Sequence, residues 1–203
     1  MRPTLQPGTA GVPPNGSTGG LARLVCALAC GLLLAACTGL NSNPDGMPPA
    51  RLGLRLSPAA LGATISLQQH LKVERNGHID ELDAALEVDA AQLQLVGLAF
   101  GQRVLQLSYD GSKLASWRHP MLPAQLRAED VLEDIELALW PVEALAAGLP
   151  PGWRIEESGL RRTVYLDGQP VTSIVYSGAP RWSGTVVLEN FRYKYRLTIQ
   201  SAP

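Results

Sequence analysis

The sequence predicts a mainly β protein: an incomplete antiparallel β-barrel of about ten strands with a helical lid. Three observations predict it. Apolar and polar residues alternate along most of residues 63–200, the signature of half-buried strands. Turn pairs such as Asn76-Gly77, Asp110-Gly111 and Asp167-Gly168 cut that alternation into hairpins. The pattern switches to a helical period once, over residues 128–142.

Residues 63–75 read as the first strand, closed by Asn76-Gly77. Residues 81–89 alternate cleanly, with Leu82, Ala84, Leu86 and Val88 on one face and Glu81, Asp83, Glu87 and Asp89 on the other. Residues 92–100 repeat the pattern up to Gly101, then 103–109 lead into Asp110-Gly111, and 113–118 form a fifth short strand. Five strands joined by short turns make an antiparallel meander with one dry face.

Across 128–142, Ala128, Val131, Leu132, Ile135, Ala138, Leu139 and Val142 share one side of a helix. Glu129, Asp130, Glu133 and Asp134 crowd its first turns, where the helix dipole favours negative charge. Pro141 ends or kinks the helix and can open a second turn through Ala147, before Gly148 and Pro150-Pro151 stop it. Leu137 and Trp140 fall off the apolar stripe. They would meet a ligand, a membrane or a second core surface, unless the kink turns Trp140 inward. Strands then resume at 154–157, 160–167, 171–177, 185–189 and 191–200.

A meander this wide must curl to hide its apolar face. One helical hairpin covers only part of the inside, so a half-barrel with a lid can leave an apolar cavity. Small inward residues (Ala84, Gly97, Ala99, Ala138) point the same way. The alternative is a core packed solid by its own side chains. The residues expected to line a cavity are Leu86, Val88, Phe100, Trp117, Leu132, Ile135, Leu139 and Trp140.

Ahead of the strands, Leu34-Ala35-Ala36-Cys37 has the form of a bacterial lipobox. The apolar run before it, with Arg23 as positive flank, spans 13 residues from Leu24 to Ala36. That is a signal-peptide core, since a membrane span takes roughly 20 residues. Residues 1–36 are therefore expected to be removed, leaving Cys37 as the acylated first residue. Residues 37–52, rich in Asn, Pro and Gly, follow as a flexible tether, and 53–203 form one domain. Thr38, rather than Asp, follows the cysteine, which in enterobacterial sorting points to the outer membrane.

Cleavage would leave 167 residues with 15 basic and 18 acidic side chains, which gives no footprint for nucleic acid. Acidic residues load 80–89 and basic ones load 154–196, read as solvated sheet faces or as a head-group or partner contact on the basic side. Cys26 and Cys30 lie in the removed segment, so no disulfide is expected. No metal site or cofactor is predicted, because His70, His78 and His119 are scattered. No nucleophile elbow or phosphate loop occurs. Ser108-Tyr109-Asp110 and Arg118-His119 are the only dense polar groups near strand ends. The adjacent carboxylates Asp80/Glu81 and Glu156/Glu157 would face opposite sides of their strands, so no enzyme is expected.

The order of lipobox, tether, meander, acidic-then-apolar helix and second meander resembles the bacterial LolA/LolB lipoprotein-localisation superfamily. More specifically, the chain looks like a group of proteobacterial outer-membrane lipoproteins often found with aryl-polyene pigment gene clusters. The pieces carrying this are Leu95-Val96-Gly97-Leu98, Tyr109-Asp110-Gly111, Leu137-Ala138-Leu139-Trp140-Pro141, Gly152-Trp153-Arg154, Leu188-Glu189-Asn190 and Tyr195-Arg196-Leu197, spread over roughly residues 50 to 200. The resemblance implies a LolA/LolB-like half-barrel handling lipids or lipidated cargo at the outer membrane. Its partners would be the membrane, through Cys37, and a periplasmic carrier protein. The sequence differs from LolB in showing no obvious protruding apolar loop between the early strands, which counts against lipoprotein insertion proper and leaves binding of another amphiphile open. A different outcome is an assembly lipoprotein with a dry core that binds a protein partner.

Overall fold

The computed structural model describes residues 52–202; the lipobox and the tether up to Arg51 lie outside the described residues. An irregular segment, Leu52–Ser57, leads into a short 3-10 turn at Pro58–Leu61. Five strands follow: β1 (Ile65–Arg75), β2 (His78–Val88), β3 (Leu93–Ala99), β4 (Gln102–Tyr109) and β5 (Leu114–Arg118). Two helices, α1 (Ala128–Leu139) and α2 (Val142–Gly148), separate them from β6 (Trp153–Ser158), β7 (Arg161–Leu166), β8 (Gln169–Tyr176), β9 (Gly184–Asn190) and β10 (Tyr195–Ala202).

All ten strands form one antiparallel sheet in the order β5-β4-β3-β2-β1-β10-β9-β8-β7-β6. The first and last strands pair at its centre, with Leu71 opposite Ile199. The edges, β5 and β6, do not pair with each other, so the barrel stays open. The chain between these two edges is the one that carries both helices. Crossing from edge to edge, it lays the helices over the concave face as a lid.

Alternation places the core as expected. Ile65, Leu67, Leu86, Val88, Leu93, Leu95, Leu107, Val164, Ile174 and Leu188 are buried on the inner face. One strand boundary moves. Residues 191–194, expected to begin the last strand, form the turn before β10, where Lys194 takes a left-handed φ of 52°.

The lid corrects the helical stripe. Val131 and Ile135, expected to face the core, are only half-buried, whereas Asp130, Glu133, Glu136 and Leu137 are buried. Trp140 precedes Pro141, where steric conflict with the proline ring disfavours helical backbone. It leaves the helix with ψ 149° and ends fully buried. Leu137 and Trp140 thus supply a second core surface, and α1 is enclosed around most of its C-terminal half.

Candidate functional site

The eight residues expected to line a cavity do not do so. Leu86, Val88, Leu132, Leu139 and Trp140 come together, but as packed core at 0–3% exposure. Ile135 is half-buried beside them. Phe100 stands 94% exposed in the β3–β4 turn, and Trp117 lies partly exposed near the end of β5. The space is filled by the lid's own Leu132, Leu137, Leu139 and Trp140 together with the segment ahead of β1. Leu52, assigned to the tether from its sequence, joins Leu54 and Leu61 in the same core cluster as the inner sheet face.

The segment Leu52–Ser57 is a strap held along α1. Its Gly53 N–H donates to Glu133 Oε2 at 2.6 Å, and its Leu56 N–H donates to Glu136 Oε1 at 3.0 Å. Trp140 Nε1–H donates to the Ser57 carbonyl at 3.1 Å. Against α2 the approach is close. A Cβ added at Gly148 would lie 3.0 Å from Leu56 Cδ2 and 3.6 Å from Leu54 Cδ2. Burial pushes the Glu136 carboxyl up to about 7, opposed by the Leu56 N–H and Arg55 and assisted by the charge of Glu133. Glu136 Oε2 and the Tyr109 hydroxyl, both buried, have no hydrogen-bond partner among the described residues. Burial, and then the Glu136 charge, raise Tyr109 above its usual value.

The C-terminal end of α1 is also closed by Arg162. Its side chain is fully buried and donates to the carbonyls of Leu137 and Trp140, the latter at 2.9 Å. A cation is favoured there by the helix dipole. Glu157 balances it at 2.7 Å and also accepts from Arg181 at 2.6 Å. Burial alone would raise Glu157, but hydrogen bonds from Arg181 and Arg162 outweigh it and hold the carboxyl below its usual value. Tyr176 completes the cap by donating to the Ala138 carbonyl at 2.8 Å.

Sequence reasoning missed Glu133, Glu136 and Arg162. For Arg162 a signal existed, because it sits two residues before the buried Val164 on β7 while Arg161 points outward. For the two glutamates there was none, since their partners are backbone groups 80 residues away.

The third feature is one end of the sheet. The register puts the β1–β2, β3–β4, β7–β8 and β9–β10 turns at this end. Ile79, Leu98, Phe100, Trp117, Met121 and Phe191, all exposed, lie toward this end, spread across the sheet, while the exposed Leu160 and Val175 lie at the opposite end. Three of these hairpins turn on a residue-glycine pair at positive φ. Two use Asn76-Gly77 and Asp167-Gly168, as tight hairpins prefer. The third uses Phe100-Gly101, with Phe100 at φ 52°. A bulky residue in that region is a true outlier. No long loop protrudes between the early strands; a single apolar ring stands at the tip of this two-residue turn.

Cations share this end: Arg103 stacks 4.9 Å over Trp117, and Arg75, Lys194 and Arg196 line an open groove of about 550 Å³ with Ile79 and Phe191. Asp80, Glu81 and Glu189 are interspersed, so the charge is mixed and the apolar tips are the distinguishing feature. A second open groove, of about 180 Å³, lies beside β1 and β2 near Ile65 and Val88. No cluster of His, Cys, Asp or Glu that could hold a metal occurs among the described residues. Nor, among them, is any helix long and apolar enough to cross a membrane.

Residues 66–203 match the model of a family described as "Protein of unknown function (DUF3261)". The chain belongs to that family. The match names DUF3261 and not the LolA/LolB superfamily. The strap precedes the matched range, whereas Glu133 and Glu136, which hold it, fall inside. A crystal structure of a DUF1329 family protein from Desulfovibrio piger ATCC 29098 is similar over 71% of this DUF3261 chain and 87% of that chain, at 11% sequence identity and a TM-score of 0.32. No curated protein matches the chain.

Proposed function

We propose that this DUF3261 protein is an outer-membrane-anchored lipoprotein, not an enzyme, that binds or receives an amphiphilic cargo (a lipid or a lipidated molecule) at the bilayer surface. The open half-barrel with its helical lid supports the reading, as does the lipobox at Cys37 in the sequence. The observation that carries it is Phe100. An aromatic ring 94% exposed on a turn that disfavours it contributes nothing to the fold, and is suited to entering the acyl region of a membrane. Burying such a ring is worth roughly 1.5–3 kcal/mol, enough to orient a domain already tethered to the leaflet.

The test uses the processed lipoprotein, in which an acylated Cys37 leaves no other thiol. A Phe100→Cys variant carrying an environment-sensitive fluorophore is reconstituted in phosphatidylethanolamine/phosphatidylglycerol vesicles. The label should shift to the blue, while the same label at Ser112, in the β4–β5 turn at the opposite end, should not. Equal spectra at both ends would contradict membrane docking. Cys37→Ser should abolish stable attachment, because a single acyl chain contributes about 0.8 kcal/mol per buried methylene and firm anchoring takes two signals. Sedimentation of that variant with membranes would remove the anchor from the account.

A second reading, an assembly lipoprotein that binds a protein partner with its outer faces, is favoured by one observation. Five of the eight expected cavity residues are packed solid.

A further inference from the structure

Alongside α1 the chain holds its own segment where an extended ligand would fit, and three features set this contact apart from ordinary core. The strap Leu52–Ser57 joins no sheet, yet it puts Leu52 and Leu54 among the core residues. Its backbone donors are met by carboxylates on successive turns of α1, at positions where a permanent core would use apolar side chains. Beneath it, Glu136 Oε2 and the Tyr109 hydroxyl are buried polar atoms that it leaves unsatisfied.

We propose that the channel beside α1 is the acyl-chain site of this protein and that Leu52–Ser57 is its resident, displaceable occupant, so that an amphiphile enters as the strap leaves. This rests on the amphiphile-binding reading above and adds where the chain binds and what keeps the site closed. It also accounts for part of the packed core, since Leu52 and Leu54 of the strap share the cluster formed by the sheet and the lid. Six residues span at most roughly 20 Å, about the length of a long acyl chain. The vacated places are those of Leu52 and Leu54, the latter close to Gly148 at the end of α2. Gly53, at φ 71°, provides a pivot that a side chain would resist. Once released, the strap extends the stretch that leads back to Cys37, so loading would also lengthen the reach of the domain from its anchor.

Hydrogen exchange on the processed lipoprotein in nanodiscs tests this, with palmitate as the added amphiphile. Palmitate should speed exchange at Gly53 and Leu56 at least tenfold and leave the centre of β1 unchanged. Leu54→Asp, which weakens the strap, should bind palmitate about tenfold more tightly than wild type, and Leu54→Ala should fall between them. The exchange measurement on wild type stands even where a variant fails to fold. If palmitate binds while strap exchange stays the same or slows, or if the folded Leu54 variants bind no more tightly, the displacement proposal fails and amphiphile binding survives. If neither wild type nor variant binds palmitate, both fail.

Discussion

The two sides of α1 are held by charged groups in opposite ways. At its C-terminal end Arg162 meets two helix carbonyls and the Glu157 carboxylate, with Arg181 on the second carboxylate oxygen. Buried charge there is paired and hydrogen-bonded, the condition under which it is tolerated. On the strap side, Glu136 accepts one N–H and leaves a buried oxygen without a partner. The first arrangement pairs its buried charge; the second, with Leu52 and Leu54 buried and three hydrogen bonds to the strap, leaves one buried carboxylate oxygen unpaired. The contrast teaches that burial and polar satisfaction are separate in this fold, and the proposed release of the strap draws on the second.

The contrast breaks most visibly at Arg162. Arg162→Ala leaves two carbonyls and Glu157 without their buried donor and should cost about 3–5 kcal/mol in denaturant unfolding. A loss under 1 kcal/mol would mean that the cap is not what fixes α1. Trp140→Ala should cost a similar amount, about 3–5 kcal/mol, by opening a core cavity and freeing the Ser57 carbonyl. A variant of normal stability with weakened ligand binding would instead return Trp140 to a cavity wall.

Glu136→Gln sharpens the strap side. In the folded protein Glu136 sits at about 7, above the ordinary 4.5, with Glu133 on the same helix, Arg55 on the strap and Tyr109 on β4 as its charged or titratable neighbours. A carboxyl raised on folding contributes stability that is complete below the unfolded value and is lost as pH rises through the folded one. Wild type should therefore lose stability between about pH 4.5 and 7, by about 3 kcal/mol. The Gln variant should show a flatter profile and greater stability at pH 8. Parallel profiles for the two proteins would remove Glu136 from the account.

The smallest expected effect is at Phe100. Phe100→Asn relieves backbone strain of about 1 kcal/mol, so melting should rise by roughly 2–4 °C. The same change should reduce penetration of that turn into vesicles. Stability and membrane contact moving in opposite directions would separate a docking residue from a structural one.

Most of the sheet was legible because its signals are local. Alternation in β2 and the Asn76-Gly77 and Asp167-Gly168 pairs each act within a few residues. The site was less legible because its contacts are distant or break local preference. Glu133 and Glu136 look like solvent-facing helix acids until backbone donors from the strap arrive. Phe100 reads as a strand residue, since Phe-Gly is not a turn signal and only the register reveals it at the tip. Trp140 was readable only as two alternatives, which the backbone after Leu139 resolves inward.

Native mass spectrometry of the processed lipoprotein, released gently from its detergent, bears most directly on whether this fold carries cargo. The account predicts a population heavier than the Cys37-acylated chain by the mass of one further amphiphile, shed when palmitate is added in excess. A single species at the mass of the anchored chain, unchanged by palmitate, would contradict it.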